Sequence, residues 1–422
     1  MSAPAPGSLP ATGWDNDAIL QDLEAKRALG VRWQDGRTFG MVYDAGPEAH
    51  ELLEKVAGMF LHENALNTIA FPGLGKIQSE VVGITAELLH GETAAGFMTS
   101  GGTESILMAV KAARELGRKE RGITDPEMVV AESAHAAFHK AAHYFGITLH
   151  KVAVRDDWRV DLDAMAAAIN QNTVIVVGSA PQYPQGVIDP IPEIAALAAE
   201  AGANCHVDAC MGGFVLPFME HLGEPIPPWD FRVDGVTSIS ADIHKLGYAP
   251  KGASVLLHRN KALRAYQTFV FDGWLGGFYA SPNMQGTRSA MPMATAWAIL
   301  HHLGLEGYLQ LTALTVETRK KLVAGVRAIP GLQVLGEPEA HLVAITSAAG
   351  YEDVVDPFAI GDALQARGWF HDRQTPPDSL HATVSAGNAP VIDQYLADLA
   401  ECVDEVGGER LADRSTNYAT LE

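Results

Sequence analysis

Residues 238–254, SISADIHKLGYAPKGAS, set Lys245 directly after a histidine, at the end of a β-like run (Val236, Ile239) and ahead of a Gly/Pro-rich turn. Lysine is rarely buried without a partner. One that is buried loses part of its preference for the ammonium form, because burial disfavours charge. The free amine is then a nucleophile that condenses with an aldehyde. Taken alone, Lys245 also suits a strand-end side chain that reaches out to solvent. Six positions further on, Lys251 offers a second cation, either for an anion or for the surface of a turn.

Three other clusters carry residue types that complement such an amine. In TSGGTE, Ser100, Gly101, Gly102 and Thr103 stand between a strand pattern and a helix pattern. The two glycines permit close backbone approach. The free N–H groups of a helix start, with the Ser100 and Thr103 hydroxyls, would cradle a phosphate. Asp208, in CHVDAC, falls at a strand end and could pair with a protonated ring nitrogen, or bond the N–H groups of the next turn. His135, in ESAH, is expected to open a helix after a strand, where its imidazole could stack on a planar ring. Ser240, Asp242 and His244 flank Lys245 and could contact a phosphate and orient the amine. These requirements together are those of a pyridoxal 5'-phosphate (PLP) site.

The elements that must position these residues alternate. Short apolar runs at 96–99, 128–131, 148–154, 173–178, 204–207, 236–240 and 254–258 are separated by helical stretches at 104–116, 135–144, 162–169 and 191–201. Near-continuous apolar strands such as TVIVV and ASVLL predict a mostly parallel seven-stranded sheet covered on both faces, an α/β domain. Ligands on such sheets sit at the carboxyl ends of the strands. Helices are expected near Asp15 (with Ile19, Leu20, Leu23 and Leu29 as its apolar positions), over 48–61 and over 76–89. A long helical region over 293–303 and 308–329 leads to an α+β lobe, with β-like runs GLQVL, LVAIT and LHATVS and helices over 356–367 and 389–406. The division expected is a helical N-terminal segment (1–90), a large α/β domain (91–292) and a smaller C-terminal α+β domain (293–422). Residues 1–13 read as a flexible lead-in and 413–422 as a frayed tail.

The chain of 422 residues can bury a large core, with 47% hydrophobic and 19% charged residues. A formal net charge of −21 argues against sequence-independent nucleic-acid binding, which needs clustered Lys and Arg. Cys205, Cys210 and Cys402 make no disulfide framework or zinc pattern, which suits a reducing cytoplasm. No basic-then-apolar leader and no apolar run long enough for a membrane span is read.

The segments GFMTSGGTESILMAVKAARE, ESAHAAFHKAAHYFG, APQYPQGVIDPIPEIA, HVDACMGGFVLPFME and GVTSISADIHKLGYAPKGAS together resemble the sphingosine-1-phosphate lyases. These belong to the fold-type-I PLP enzymes related to group II amino-acid decarboxylases. The similarity covers roughly residues 36–400. It implies that Lys245 is the Schiff-base lysine, Asp208 the partner of the pyridine nitrogen, and His135 the ring-stacking residue. Ser100, Gly101, Gly102 and His244 would hold the phosphate. It also implies a homodimer with shared sites, in which Gly286, Thr287 and Arg288 of NMQGTRS reach the neighbour's cofactor.

The resemblance implies retro-aldol cleavage of a 2-amino-3-hydroxy phosphate, a phosphorylated small-molecule amine. A PLP-dependent decarboxylase of an amino acid is the alternative, and a cofactor-holding protein without turnover a third reading. Family residues around the substrate match at Tyr43 in GMVYDAG, Asn64 in ENALNTIAFPG and Lys251 in APKG. The family histidine of NPLHPDIFP is Asn67 here, which can donate a hydrogen bond but brings no charge. Lys245, Tyr43 and Tyr183 are the candidate acids and bases. The membrane anchor of animal members is not expected, which suits a bacterial-type soluble enzyme.

Overall fold

The structure, a computed structural model, describes residues 7–416. The N-terminal part contains helices α1 (Asn16–Arg27), α2 (Pro47–Met59) and α3 (Pro72–Leu88). Asp15 caps α1 by accepting the Ala18 N–H at 2.9 Å. The expected apolar positions of α1 do not reach a core: Ile19, Leu20, Leu23 and Leu29 are all exposed, and no α1 residue is buried. Helix α3 starts earlier than expected, because Pro72 fits the first helical turn and Leu74 is buried there, so Gly73 and Gly75 become helical.

Strands β1 (Ala95–Thr99), β2 (Glu127–Ala131), β3 (Thr148–Val152), β4 (Thr173–Ser179), β5 (Asn204–Ala209), β6 (Val236–Ala241) and β7 (Ser254–His258) form one seven-stranded sheet. Its order is β1-β7-β6-β5-β4-β2-β3. The pairs β3/β2, β2/β4, β4/β5 and β5/β6 are parallel, while β7 runs antiparallel to β6 and β1. Strand β4 is buried along its whole length, as its apolar run demands of a sheet covered on both faces. Helices α4 (Gly102–Arg121), α5 (Ala137–Phe145), α6 (Leu162–Ala168), α7 (Ile191–Glu200) and α8 (Leu216–His221) follow strands. The short α9 (Lys261–Ala265) and a hairpin of β8 (Phe269–Phe271) and β9 (Tyr279–Ser281) were not visible in the sequence pattern.

Helix α10 (Met291–Ala328) runs from the large core to the smaller lobe and is kinked at Gly304, whose φ of 54° and ψ of −172° interrupt the helix. The smaller lobe pairs β10 (Leu332–Val334), β11 (Leu342–Ser347), β13 (Ser379–Thr383) and β12 (Asp372–Gln374) in an antiparallel sheet, with α11 (Pro357–Ala366) and α12 (Ile392–Val406) against it. Phe39 joins this core, stacked on His371 at 4.7 Å and close to Tyr395 at 4.6 Å. Asn388 Nδ2 donates to the Gly36 carbonyl at 2.9 Å, so residues 36–40 are sewn into the C-terminal lobe.

The expected frayed tail is corrected in its first part. Arg414 pairs with Asp356 at 2.5 Å and also with Asp378, because Asp356, buried at the start of α11, needs a cation. Residues 417–422, like 1–6 of the expected lead-in, lie outside the described residues. No helix among the described residues is long and apolar enough to cross a membrane.

Candidate active site

The carboxyl edge of the parallel strands brings the expected residues together. Asp208 on β5 stands opposite Ser240 on β6 and Ser179 on β4, and Thr99 at the end of β1 faces Ser254 at the start of β7. Register alone therefore gathers residues from five strands at one edge.

Lys245 sits in the turn after β6. Its Nζ lies 3.0 Å from Asp242 Oδ2, with the lysine side chain 18% and the aspartate 1% exposed. Ser254 Oγ donates to Asp242 Oδ1 at 2.5 Å. The Lys245 ammonium beside Asp242, together with His244 and Ser254, offsets its burial and holds the carboxyl well below the usual carboxylate range. His244 accepts the N–H groups of Gly252 (3.2 Å) and Ala253 (3.3 Å) on Nδ1, so Nε2 carries the proton and points at Asp242 Oδ2, 3.5 Å away. Of the three residues flanking Lys245, Asp242 orients the amine and His244 stands against the glycine turn.

Ser240 differs from its expected place. Its hydroxyl donates to Asp208 Oδ1 at 3.2 Å and lies 3.3 Å from both Cys210 Sγ and His206 Nε2. It therefore buttresses the ring-nitrogen candidate rather than facing the glycine turn, because alternate residues of β6 point to opposite faces and Ser240 is in register with Asp208. The Cys210 N–H gives Asp208 Oδ1 a second donor at 3.1 Å.

His135 lies just before α5 instead of opening it: it precedes the N-cap Ala136, and its Nδ1 accepts the Ala137 N–H at 3.1 Å. Burial lowers its pKa, so the imidazole is neutral and flat-faced, and the charges it feels are those of Asp208, Lys245 and Asp242. A residue more than 100 positions from Lys245 in sequence is thus part of one electrostatic neighbourhood.

The glycine turn precedes α4, with Gly101 as its N-cap. A Cβ on Gly102 would come within 2.7 Å of Cys210 Sγ and 2.9 Å of Asp242 Oδ2, and one on Gly101 within 3.1 Å of His244 Cε1. Only bare backbone fits here. The Ser100 N–H is committed to Glu104 Oε2 at 2.6 Å, which leaves the N–H groups of Gly102 and Thr103, in the first turn of the helix, for an anion. Glu104 Oε1 also accepts the Met284 N–H at 2.8 Å. Beneath the turn, the hydroxyls of Thr99, Ser105 and Ser254 form a run that ends on the Asp242 carboxylate, the partner of Lys245, with steps of 2.6, 3.1 and 2.5 Å. Glu104, Ser105, Cys210 and Ser254 escaped the sequence reading. Their partners are long-range, and only the repeated small hydroxyls near the strand ends hinted at them.

Tyr43 and Lys251 lie together: the Lys251 Nζ is 4.7 Å from the Tyr43 ring centroid and donates to the His244 carbonyl at 3.0 Å. Burial of the ammonium, with the neighbouring Lys245 charge, lowers the Lys251 pKa to about 8. Asn64 and Asn67 sit on the loop before α3, each accepting an N–H two residues on (Leu66 at 3.2 Å, Ile69 at 2.8 Å). Gly286 and Thr287 are exposed, whereas Arg288 turns inward to the Met98 carbonyl at 3.3 Å and Gln78 at 3.1 Å. The Tyr183 hydroxyl donates to Asp372 of the small lobe at 3.0 Å.

The family model of the pyridoxal-dependent decarboxylase conserved domain matches residues 1–347. Sphingosine-1-phosphate lyase of Oryza sativa is 44% identical over 94% of this chain and 74% of its own length. Sphingosine-1-phosphate lyase 1 of Rattus norvegicus is 43% identical, over 94% of this chain and 70% of its length. The chain belongs to the sphingosine-1-phosphate lyase family of PLP-dependent enzymes. A solved structure, the sphingosine-1-phosphate lyase Bpss2021 of Burkholderia pseudomallei K96243, superposes with a TM-score of 0.90 at 41% identity, covering 95% of this chain and 93% of that one. The fold is accordingly that of fold-type-I PLP enzymes, the cofactor is pyridoxal 5'-phosphate, and the protein is a lyase. The residues present fit that group: the glycine turn leaves room for its phosphate, Asp208 is a braced buried carboxylate that would suit its ring nitrogen, His135 is a buried imidazole that would suit its face, and Lys245 is an amine that would suit its aldehyde.

Proposed function

We propose that this enzyme cleaves the C2–C3 bond of sphingosine 1-phosphate or a related 2-amino-3-hydroxy phosphate, giving an aldehyde and an aminoalkyl phosphate. The observation that carries the reading is the pairing of an amine site at Lys245 with a separate cationic site where Lys251 lies over Tyr43. Gly101, Gly102, Thr103 and His244 would hold the cofactor phosphate, Ser100 would shape that turn, and Asp208, braced by Ser240, would hold the ring nitrogen. When bound, the cofactor supplies a conjugated ring that takes up the electron pair left on C2 as C3 departs.

The chain's own residues do the rest. Lys251, charged below about pH 8, binds the substrate phosphate, with Tyr43, Asn64 and Asn67 as neutral donors. Asp242 keeps the Lys245 Nζ aimed along the strand edge. A base among Lys245, Tyr43 and Tyr183 takes the proton of the 3-hydroxyl while the C2–C3 bond breaks and C3 becomes the aldehyde carbon. A proton then goes to C2, and the aminoalkyl phosphate leaves.

A homodimer with shared sites completes the reading. It is supported by apolar side chains exposed on this chain at Leu20 and Leu23 of α1 and at Phe269, Phe271, Trp274 and Leu275 in and beside the β8–β9 hairpin. Gly286 and Thr287 would then face the partner's cofactor. A reducing, cytoplasmic setting agrees with three free, buried cysteines. We divide the chain into a helical N-terminal segment (1–90), a cofactor-binding domain (91–292) and a small C-terminal domain (293–422).

The test is aldehyde release from sphinganine 1-phosphate by the PLP-loaded protein, with Lys245→Ala as the control. No aldehyde from any 2-amino-3-hydroxy phosphate would overturn the reading. Carbon dioxide release from an amino-acid panel would replace it with decarboxylation.

A further inference from the structure

Between the large domain and the C-terminal lobe lies a cavity of about 800 Å³, within the range that encloses most of a medium-sized organic ligand. His135 and Tyr183 are among the residues that line it, so it adjoins the candidate site. Most of the surface that lines it is apolar, with Val154, Trp158, Pro184 and Pro376 among the residues, and the charged Glu132, Lys151, Asp372 and Arg373 line it too. Trp158 has a φ of 67°, a left-handed conformation that a bulky side chain seldom adopts and that costs about 1–3 kcal/mol. It is held there by a tight turn in which its N–H reaches the Arg155 carbonyl at 2.8 Å and the Arg155 N–H reaches that of Arg159 at 2.8 Å. The ring lies against Gly336, where a Cβ would come within 3.1 Å of it. In the same wall, the buried Ser133 Oγ has no hydrogen-bond partner.

Neither Tyr43 nor Lys251 lines this cavity, and nor do Asn64 and Asn67. In a 2-amino-3-hydroxy phosphate the phosphate hangs from C1 and the alkyl chain from C3, on either side of the amine-bearing carbon. A site that fixes the amine at Lys245 must therefore send the two ends into different compartments. We infer that this interdomain cavity binds the alkyl chain on the aldehyde side of the substrate, with Trp158 and Val154 as its length-sensing walls and Ser133 Oγ as a hydrogen-bond partner for the oxygen on C3. This rests on the lyase reading above and adds to it the place and chemistry of the chain-binding compartment.

Two measurements test it. The first compares kcat/KM for 2-amino-3-hydroxyalkyl phosphates of eighteen, twelve and six carbons. The native enzyme should favour the long chains, by up to about fourfold per methylene buried. Val154→Arg, which puts a charge against the chain, should cut the eighteen-to-six-carbon preference at least tenfold. A preference unchanged in Val154→Arg overturns the assignment. The second measurement needs no turnover: 12-bromododecanol is titrated into the protein while tryptophan fluorescence is followed. Saturable quenching that disappears in Trp158→Phe is expected. No quenching, or quenching that persists in Trp158→Phe, overturns it. If no phosphate of any length is cleaved, the lyase reading fails, while the quenching result still decides the cavity.

Discussion

Raising the pH should switch off recognition of a phosphorylated substrate earlier than for an ordinary lysine, because the Lys251 pKa is lowered to about 8. The sign follows from which form binds: the ammonium attracts the phosphate, so binding is intact below this pKa and is lost as pH rises through it. With a pKa of about 8, roughly 91% of Lys251 is charged at pH 7 and roughly 1% at pH 10, so kcat/KM should fall about 90-fold over that range. An unperturbed lysine, near 10.4, would still be mostly charged at pH 10. The assay is kcat/KM for sphinganine 1-phosphate against pH, which reports groups of the free enzyme. Lys251→Arg keeps its charge throughout and should remove the fall, while Lys251→Gln should be uniformly low. A decline that persists in Lys251→Arg, or that begins only above pH 10 in the native enzyme, would refute the reasoning.

Asp242→Asn removes one member of a buried ion pair and leaves the Lys245 ammonium uncompensated. The unliganded protein should lose about 3 kcal/mol in urea unfolding, the low end for such pairs because Lys245 keeps some solvent contact; a loss below 1 kcal/mol would contradict this. Gly102→Ala drives a methyl toward Cys210 and Asp242, and equilibrium dialysis should show PLP bound at least tenfold more weakly, about 1.4 kcal/mol, with the fold kept by circular dichroism. Asp208→Asn keeps the shape and loses the charge, and kcat should drop on the order of 100-fold while PLP is still bound. Mixing Lys245→Ala with Thr287→Trp protein should restore activity in hybrids only if Thr287 serves the partner's site; sedimentation velocity gives the assembly.

Periodicity and turn chemistry made most of the architecture legible. The seven apolar runs became the seven strands, because strands buried on both faces must be apolar throughout. The kink in α10 fell between the two helical patterns, at a glycine that can take positive φ. Residue type and local spacing likewise set Lys245 beside Asp242 and His244, since positions three apart in a tight turn meet whatever surrounds them. What local pattern does not encode is register. Strand pairing puts Ser240 under Asp208 and Ser254 near Asp242, and the loop after β9 brings Met284 to Glu104 on α4, contacts 32, 12 and 180 positions apart in sequence. The exposed apolar face of α1 and the interdomain cavity show the same limit. An apolar stripe requires a partner but does not name it, and a void between two lobes exists only once both have folded against each other.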